Sequence, residues 1–198
     1  MKLNWGERLA VNNPLRPLQQ RVELSLLKKS MPLKPGGTIL EIGCGRGAGA
    51  RLIKAMFSPL QVHATDLDIE MIRLSHTYLS RDERAGITFS AADAAALPFT
   101  DGSMDAVFGF GVLHHIPDWQ GALSEIVRVL KPGGVYFFEE LYPALYQNFI
   151  TRHILLHPTE NRFYSQDLKQ GMRMAGLVLG KFIEIINLET FGLATKQA

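Results

Sequence analysis

The stretch that decides the fold is Thr38-Ile39-Leu40-Glu41-Ile42-Gly43-Cys44-Gly45-Arg46-Gly47-Ala48-Gly49. Its first five residues are mostly aliphatic or β-branched and predict a strand, and the residues that follow predict a helix through Phe57. The alternating glycines allow a sharp turn, and the N–H groups at a helix start favour an anionic or hydrogen-bond-accepting ligand. The spacing fits G-x-G-x-G, and with Ala48 it also fits the dinucleotide fingerprint G-x-G-x-x-A. A turn that binds nothing is a third interpretation.

Outward from this stretch, strand-like and helix-like patterns alternate along the chain. Such alternation predicts right-handed βαβ crossovers and a parallel sheet with helices on both faces. Two runs near the C-terminus, 177–186 and 190–195, are separated by only three residues, which permits a hairpin and no crossover. We therefore predict an α/β fold, a single Rossmann-like, doubly wound, mostly parallel seven-stranded sheet with an antiparallel C-terminal hairpin strand. The other strands are expected at 38–42, 61–66, 87–91, 105–110 and 135–139.

Composition and charge exclude several classes of protein. The chain has 198 residues, 46% of them hydrophobic and 20% charged, which is typical of a globular domain. Its single cysteine, Cys44, excludes an intrachain disulfide, although a reactive thiol in the glycine turn stays open. No apolar run is long enough for a membrane span or a secretory signal, so we expect a cytoplasmic protein without stable membrane insertion. The net charge is only +2, and residues 37–140 are acidic, which argues against a nucleic-acid partner.

A carboxylate supports a nucleoside site beside the glycine turn. Asp66 ends the second predicted strand about 20 residues after the turn, where an acid can accept hydrogen bonds from ribose hydroxyls. The alternative is that Asp66 caps the next helix, a role that Asp68 can fill equally well.

Four segments, taken in order, resemble the class I S-adenosylmethionine-dependent methyltransferase family, and within it the small-molecule type 11 methyltransferase domain. They are residues 39–47, residues 92–99, residues 99–107 with the following Val112-Leu113-His114-His115-Ile116, and residues 128–135. The resemblance covers roughly residues 37–140. It implies S-adenosylmethionine as the cofactor, and the acidic surplus of this region suits a cationic sulfonium better than a pyrophosphate.

The resemblance also implies which residues contact the cofactor. The methionine end would lie near the glycine turn, Glu41 and the backbone at 110–111, while Asp66 would meet the ribose. Leu67 would pack against the adenine, and Asp93 with Ala94 would meet the adenine edge. The full predicted set is Glu41, Gly43, Gly45, Gly47, Asp66, Leu67, Asp93, Ala94, Phe110 and Gly111.

We expect one methyltransferase domain over residues 1–198. Residues 1–36 would form an N-terminal helical cap and 37–140 the cofactor-binding core. Residues 141–164 would form the acceptor site, and 165–198 a C-terminal helix and hairpin. A homodimer is one way in which such a short cap could close the site.

Candidate catalytic groups stand at strand ends, where α/β active sites form. They are His114, His115, Glu139, Glu140 and Tyr142. A general base is needed only if the acceptor is a hydroxyl or a carbon acid, whose proton must leave. The alternatives are a packed histidine, a solvated end of the fifth strand and a core tyrosine. We predict no metal site, because His153 and His157 lack an evident third ligand.

The leading hypothesis for function is methyl transfer to a small organic acceptor by in-line displacement. The fourth strand lacks the Asn/Asp-Pro-Pro-aromatic exit that amino-directed nucleic-acid and protein-glutamine methyltransferases carry, so base modification is not expected. Two alternatives stay open: a non-catalytic S-adenosylmethionine-binding sensor or partner-binding module, and an NAD-dependent oxidoreductase.

The first predicted helix has a charge pattern that bears on membranes. Asn13 is expected to cap it, Pro14 to begin it, and leucines and a valine at 15, 18, 22 and 26 set its period. Its four basic residues could contact anionic lipid. The acid Glu23 and the modest charge favour a solvated face instead.

Overall fold

Seven strands form one sheet in a computed structural model that describes residues 13–31, 33, 35–146 and 160–197. The strands are β1 (Thr38–Ile42), β2 (Gln61–Asp66), β3 (Ile87–Ala91), β4 (Met104–Phe110), β5 (Leu130–Leu141), β6 (Leu177–Ile185) and β7 (Glu189–Lys196). The described helices are α1 (Arg16–Leu27), α2 (Ala48–Phe57), α3 (Ile69–Tyr78), α4 (Arg81–Arg84), α5 (Trp119–Val129), α6 (Pro143–Tyr146) and α7 (Ser165–Met174), with 3₁₀ turns at Lys28–Ser30 and Leu113–His115.

The sheet has the strand order β3-β2-β1-β4-β5-β7-β6. The first five strands in that order are parallel, while β7 pairs antiparallel with both β5 and β6. The predicted fold class is confirmed. Because β1 lies between β2 and β4, the strand order reverses beside β1, and ligands of such sheets bind at the carboxyl ends of the strands next to this switch point.

Each face of the sheet has its own apolar core. On one face, α5 and α7 cover Leu40, Val107 and Phe138. On the other face, α1 and α2 cover Phe108 and Phe137. The alternation of side chains along β5 assigns successive residues to opposite cores. Glu139 and Glu140 at its carboxyl end therefore point to opposite faces.

The start of β5 differs from the prediction. The sequence predicts a strand at 135–139, but β5 begins at Leu130. Met104 of β4 pairs with Leu130, and Ala106 pairs with Val135, so the intervening residues bulge out of the ladder. Gly133, with φ +74°, permits the reversal within this bulge.

Helix α1 begins two residues later than predicted. Its N-cap is Leu15, while Asn13 instead accepts a hydrogen bond from the Leu15 N–H at 2.9 Å in the turn before the helix. Four residues of α1 are buried: Gln20, Glu23, Leu24 and Leu27. The apolar residues whose spacing predicted the helix lie on its other side and are exposed. A helical period does not indicate which of two stripes faces the core. In α1 the stripe that contains an acid faces the core.

A buried ionic cluster explains this orientation of α1. The Arg16 guanidinium lies 2.6 Å from a carboxylate oxygen of Glu139, which is fully buried. Gln19 donates a hydrogen bond to Glu23 at 2.8 Å. Burial and the nearby charge of Glu139 raise the pKa of Glu23 to about 8. Near neutral pH the Glu23 carboxyl therefore holds a proton, which makes its burial tolerable.

We predict that Glu23→Gln stabilises the protein at alkaline pH. An acid whose pKa is raised by folding binds protons more tightly in the folded state, so the free energy of unfolding falls as pH rises from about 4.5 to about 8. The variant should lose less stability over this window, by about 2 kcal/mol or roughly 4–8 °C in midpoint. Thermal unfolding at pH 5.5 and pH 8.5 measures the difference. The exposed Glu160→Gln is the matched control, and equal pH dependence of Glu23→Gln and wild type would contradict the prediction.

Candidate functional site

The glycine turn joins β1 to α2 at the switch point. Gly43, Gly45 and Gly47 all have positive φ, between +52° and +87°. A Cβ atom on Gly43 would stand 2.4 Å from Val112, which follows β4. Among the described residues no side chain caps the N-terminus of α2, whose N-cap is Gly47. The turn therefore presents backbone N–H groups to a ligand at the carboxyl edge of the sheet.

Glu41 is the buried acid of this edge. Its side chain points at α2, where a Cβ atom on Gly49 would stand 2.0 Å from Oε1, so the helix must carry glycine there. Oε2 has no hydrogen-bond partner among the residues that the structure describes. Burial, followed by the charge of Asp66, raises the pKa of Glu41 well above its usual value. A cationic or hydrogen-bond-donating ligand would compensate this buried acceptor.

Asp66 is held at the end of β2 by two backbone groups. Oδ2 accepts a hydrogen bond from Gly45 N–H at 2.8 Å, and Oδ1 accepts one from Asp68 N–H at 2.9 Å. Asp68 caps α3 through Glu70 N–H, so Asp66 is not needed as the cap. Burial raises the pKa of Asp66. A carboxylate oxygen accepts more than one hydrogen bond, so Asp66 can still receive two ribose hydroxyls.

The residues predicted to meet the adenine lie next to Asp66. Leu67 is 48% exposed, although large apolar side chains are usually covered. The Asp66 carbonyl accepts a hydrogen bond from Ala92 N–H at 3.0 Å, which brings the segment after β3 alongside. In that segment Asp93 is exposed and accepts a hydrogen bond from Ala95 N–H, while Ala94 packs against the core.

The residues at the end of β4 and just after it form the other side of this carboxyl edge of the sheet. Gly111, with φ +68°, donates from its N–H to the Glu139 carbonyl at 2.7 Å. A Cβ atom on Gly111 would stand 3.3 Å from the Arg16 guanidinium and 3.5 Å from Cε1 of His114. The backbone at 110–111 is thus in close contact with one cation and one imidazole. Phe110 is buried beside Gly49 and Glu41, which links it to the glycine turn.

His114 and Glu140 form a buried pair. Nδ1 of His114 lies 2.8 Å from Oε2 of Glu140, and both side chains are almost fully covered. Glu140 also accepts hydrogen bonds from the backbone N–H groups of Leu113 and His114, at 2.9 and 3.2 Å. The carboxylate thus fixes both the 3₁₀ turn and the imidazole. It settles the ring orientation in the manner of the third member of a catalytic triad.

Glu139 and Glu140 are both fully buried, so a solvated strand end is the wrong interpretation of this pair. Glu139 lies on the α1 side of the sheet and pairs with Arg16, away from His114. The catalytic roles of these residues stay predictions.

The remaining candidates are packed against other rings. The rings of His115 and His114 have centroids 4.3 Å apart, and Tyr146 of α6 stacks on His114 at 5.5 Å. Tyr142 belongs to the core under α5 and α7, and burial raises its pKa to about 12. A phenol buried in this way is better suited to form a wall than to act as an acid or base near neutral pH.

Cys44 is buried, and burial first, then nearby carboxylates, raises the pKa of its thiol well above the usual value. A protonated, covered thiol is a poor nucleophile. The reactive-thiol interpretation of Cys44 is therefore wrong.

Part of the predicted acceptor site lies outside the described residues. The cap residues 1–12 and most of the acceptor segment, 147–159 with His153 and His157, belong to this part. Within the described ranges, no group of three His, Cys, Asp or Glu side chains could hold a metal ion. Over the same ranges, no helix is both long and apolar enough to cross a bilayer.

Sequence reasoning missed Arg16, Glu23 and Gly49. Arg16 and Glu139 are far apart in the chain, and no local pattern announces their pairing. Gly49 was quoted in the glycine run, but its contact with Glu41 appears only once α2 packs on β1. The sequence did carry one signal of this contact. It is an acid at the fourth position of a buried strand, followed by glycine at the second position of the next helix.

Comparison with known proteins gives consistent matches. A family model described as a methyltransferase domain matches residues 40–138, which is half of the chain. Phosphoethanolamine N-methyltransferase 2 of Caenorhabditis elegans is 37% identical over 111 residues, 56% of this chain and 25% of that protein. Fatty-acid O-methyltransferase of Mycolicibacterium smegmatis is 35% identical over 108 residues, 54% of this chain and 38% of that protein. This chain therefore spans less than half the length of these curated relatives.

A solved structure supports the fold. Phosphoethanolamine N-methyltransferase 2 of Haemonchus contortus, in complex with S-adenosyl-L-methionine, superposes with a TM-score of 0.75 at 19% identity. The match covers 89% of this chain and 52% of that one. At this identity the likeness concerns the architecture of the sheet and helices.

We predict that Gly49→Ala weakens binding of S-adenosylhomocysteine at least about tenfold. The new methyl group would occupy the position of the Glu41 carboxylate oxygen, so the acid must turn away from the crevice. Isothermal titration calorimetry measures the affinity, and thermal unfolding without ligand shows whether the fold is kept. Ala55→Ser, on the exposed side of the same helix, is the control. Unchanged affinity in a folded Gly49→Ala protein would contradict the role of Glu41.

Proposed function

We propose that this chain, which belongs to the methyltransferase domain family, transfers a methyl group from S-adenosylmethionine to a small organic acceptor. The observation that carries the proposal is the cluster of ligand-ready groups at the switch point. Three groups lie at the carboxyl edge of the sheet: the glycine turn, the anchored carboxylate of Asp66, and the Glu41 oxygen that has no partner among the described residues. This edge is where the fold class binds its ligands.

Family membership confirms the predicted class, a class I S-adenosylmethionine-dependent methyltransferase, and with it the predicted cofactor. The same match sets aside the NAD-dependent oxidoreductase that the glycine spacing alone had left open.

The described residues fit this cofactor. Asp66 would hold the ribose hydroxyls, and Leu67 offers an exposed apolar surface for a base. Glu41 would receive the charged methionine end, because its second oxygen has no partner within the described part of the chain. When bound, the cofactor supplies a methyl group already activated by a positively charged sulfur. The protein is left to align the acceptor and exclude water.

Among the described residues, His114 is the best placed general base. A Cβ atom on Gly111 would stand 3.5 Å from Cε1 of His114, so the ring lies beside the turn expected to contact the methionine end. Glu140 accepts from Nδ1, which directs proton exchange to Nε2, and it stabilises the imidazolium that forms when a proton is taken. Such a base serves an acceptor with a hydroxyl or an acidic C–H group.

The relatives support a small organic acceptor. The matched proteins are named for phosphoethanolamine and for fatty acids, which differ in charge and in the atom methylated. Their names therefore support the class of acceptor rather than one compound. A cytoplasmic location, the absence of a nucleic-acid partner and closure of the site by a second copy are parts of the same proposal.

We predict that His114→Gln and Glu140→Gln lower the rate of methyl transfer by about 10²–10⁴ for an acceptor that must lose a proton, with little change in KM for S-adenosylmethionine. The measurement is transfer of a labelled methyl group to hydroxyl, carbon-acid and amine acceptors, followed over pH. Transfer to a neutral amine, which needs no base, should differ little between wild type and the variants.

One control variant and two contrary outcomes make the result decisive. His63→Gln, on β2 and away from the His114–Glu140 pair, should transfer at the wild-type rate. Full activity of a folded His114→Gln protein with such acceptors would remove the base from the proposal. Cofactor binding without transfer to any acceptor would favour the non-catalytic sensor instead.

A further inference from the structure

Helix α1 presents apolar side chains on two opposite sides. One side packs on the sheet through Leu24 and Leu27, which are fully buried. The other side is an exposed stripe with the following exposed fractions: Leu15 67%, Leu18 61%, Val22 52% and Leu26 50%. Steps of three and four residues place all four on one line along the helix. We call these four residues the outer stripe.

Apart from the buried Glu23, the ionic residues of the described segment 13–31 are all basic. Within residues 13–31 the only acid is Glu23, and the structure buries it under the helix. The charge of Arg16 is matched by its ion pair with Glu139. The exposed ionic residues of the segment are therefore Arg21, Lys28 and Lys29.

A further cation comes from β6. Lys181 donates a hydrogen bond to the Leu26 carbonyl at 3.3 Å, which brings an ammonium group to the C-terminal end of the outer stripe. Lys28, beside it, remains exposed while its ammonium donates to the Met56 carbonyl. The prediction of a solvated face rested on Glu23 as a surface charge and on the modest charge of the helix, and the burial of Glu23 removes the first of these grounds.

We propose that the outer stripe docks on an anionic lipid surface. An apolar stripe flanked by basic side chains is the pattern that places a helix in the membrane interface, with apolar side chains below the headgroups and cations among the phosphates. This is peripheral binding and needs no membrane span. A neutral protein surface, or the same stripe on a second copy of this chain, would leave the concentration of positive charge unmatched.

The position of α1 connects this docking to the crevice. Arg16, at the start of the helix, contacts Glu139 and stands 3.4 Å from the Phe110 carbonyl, at the carboxyl edge of the sheet. Docking through the outer stripe would bring that edge close to the lipid surface. The docking does not depend on the proposed methyl transfer, although an acceptor dissolved in lipid would reach the site directly.

Co-sedimentation with vesicles tests the proposal. The full chain is mixed with vesicles of phosphatidylglycerol or of phosphatidylcholine, and the bound fraction is measured at low and high salt. We expect binding to phosphatidylglycerol that weakens with salt, and little binding to phosphatidylcholine. Leu18→Ser combined with Val22→Ser should weaken binding at least about tenfold. Arg21→Gln combined with Lys29→Gln should weaken it comparably and reduce its salt dependence.

Control variants separate docking from folding and from the cofactor site. Leu60→Ser removes a leucine outside the stripe that is 75% exposed, more than any stripe residue. This variant should bind vesicles as wild type does. The stripe variant should keep the wild-type unfolding midpoint and its affinity for S-adenosylhomocysteine. A failure of docking is thereby distinguishable from a failure of the proposed function.

Three results would overturn the proposal. One is that wild type stays in solution with phosphatidylglycerol vesicles, and another is that the stripe variant pellets as well as wild type. The third is that the stripe is already covered. Sedimentation velocity would show this as a dimer that the stripe variant dissociates, and a photocrosslinker at Leu18 would show it by capturing residues 1–12.

Discussion

Carboxylates buried at the carboxyl edge of the sheet are the constraint on which the rest of this structure depends. Glu41, Glu139 and Glu140 are all essentially inaccessible to water, and a buried acid is costly unless it is paired, hydrogen-bonded or protonated. Each recruits a different element. Glu41 requires glycine at position 49 of α2, Glu139 anchors α1 through Arg16, and Glu140 organises the turn that carries His114.

The same constraint relates the site to the outer surface of the protein. Glu139 anchors α1 through Arg16, and Glu23 lies on the buried side of the same helix, where burial and the charge of Glu139 raise its pKa. That rotation of α1 leaves Leu18 and its neighbours on the outside, next to the exposed cations Arg21 and Lys29. A polar requirement at the edge of the sheet thus produces an apolar, basic surface on the opposite side of the helix.

Local patterns predicted most of the fold, while most of the residues proposed to hold the cofactor came from the family resemblance, and all of them stay predictions. Strand β2 and the hairpin of β6 and β7 follow from side-chain alternation and short loops, and the glycine turn follows from its spacing. Local patterns did not predict the orientation of α1 or the partner of Glu139, because both depend on contacts between distant parts of the chain. The bulge at the start of β5 was missed for a related reason, since Pro132 and Gly133 are typical of a turn whether or not the strand continues around it.

The measurement that tests the account most directly is thermal unfolding with S-adenosylhomocysteine, beside NADH, for wild type and Asp66→Ala. A ligand at a hundredfold its dissociation constant adds about 2.7 kcal/mol, which corresponds to roughly 5–11 °C in a protein of this size. The account predicts that rise for wild type with S-adenosylhomocysteine alone, and its loss in Asp66→Ala. A rise with NADH, or no rise with either ligand, would contradict it.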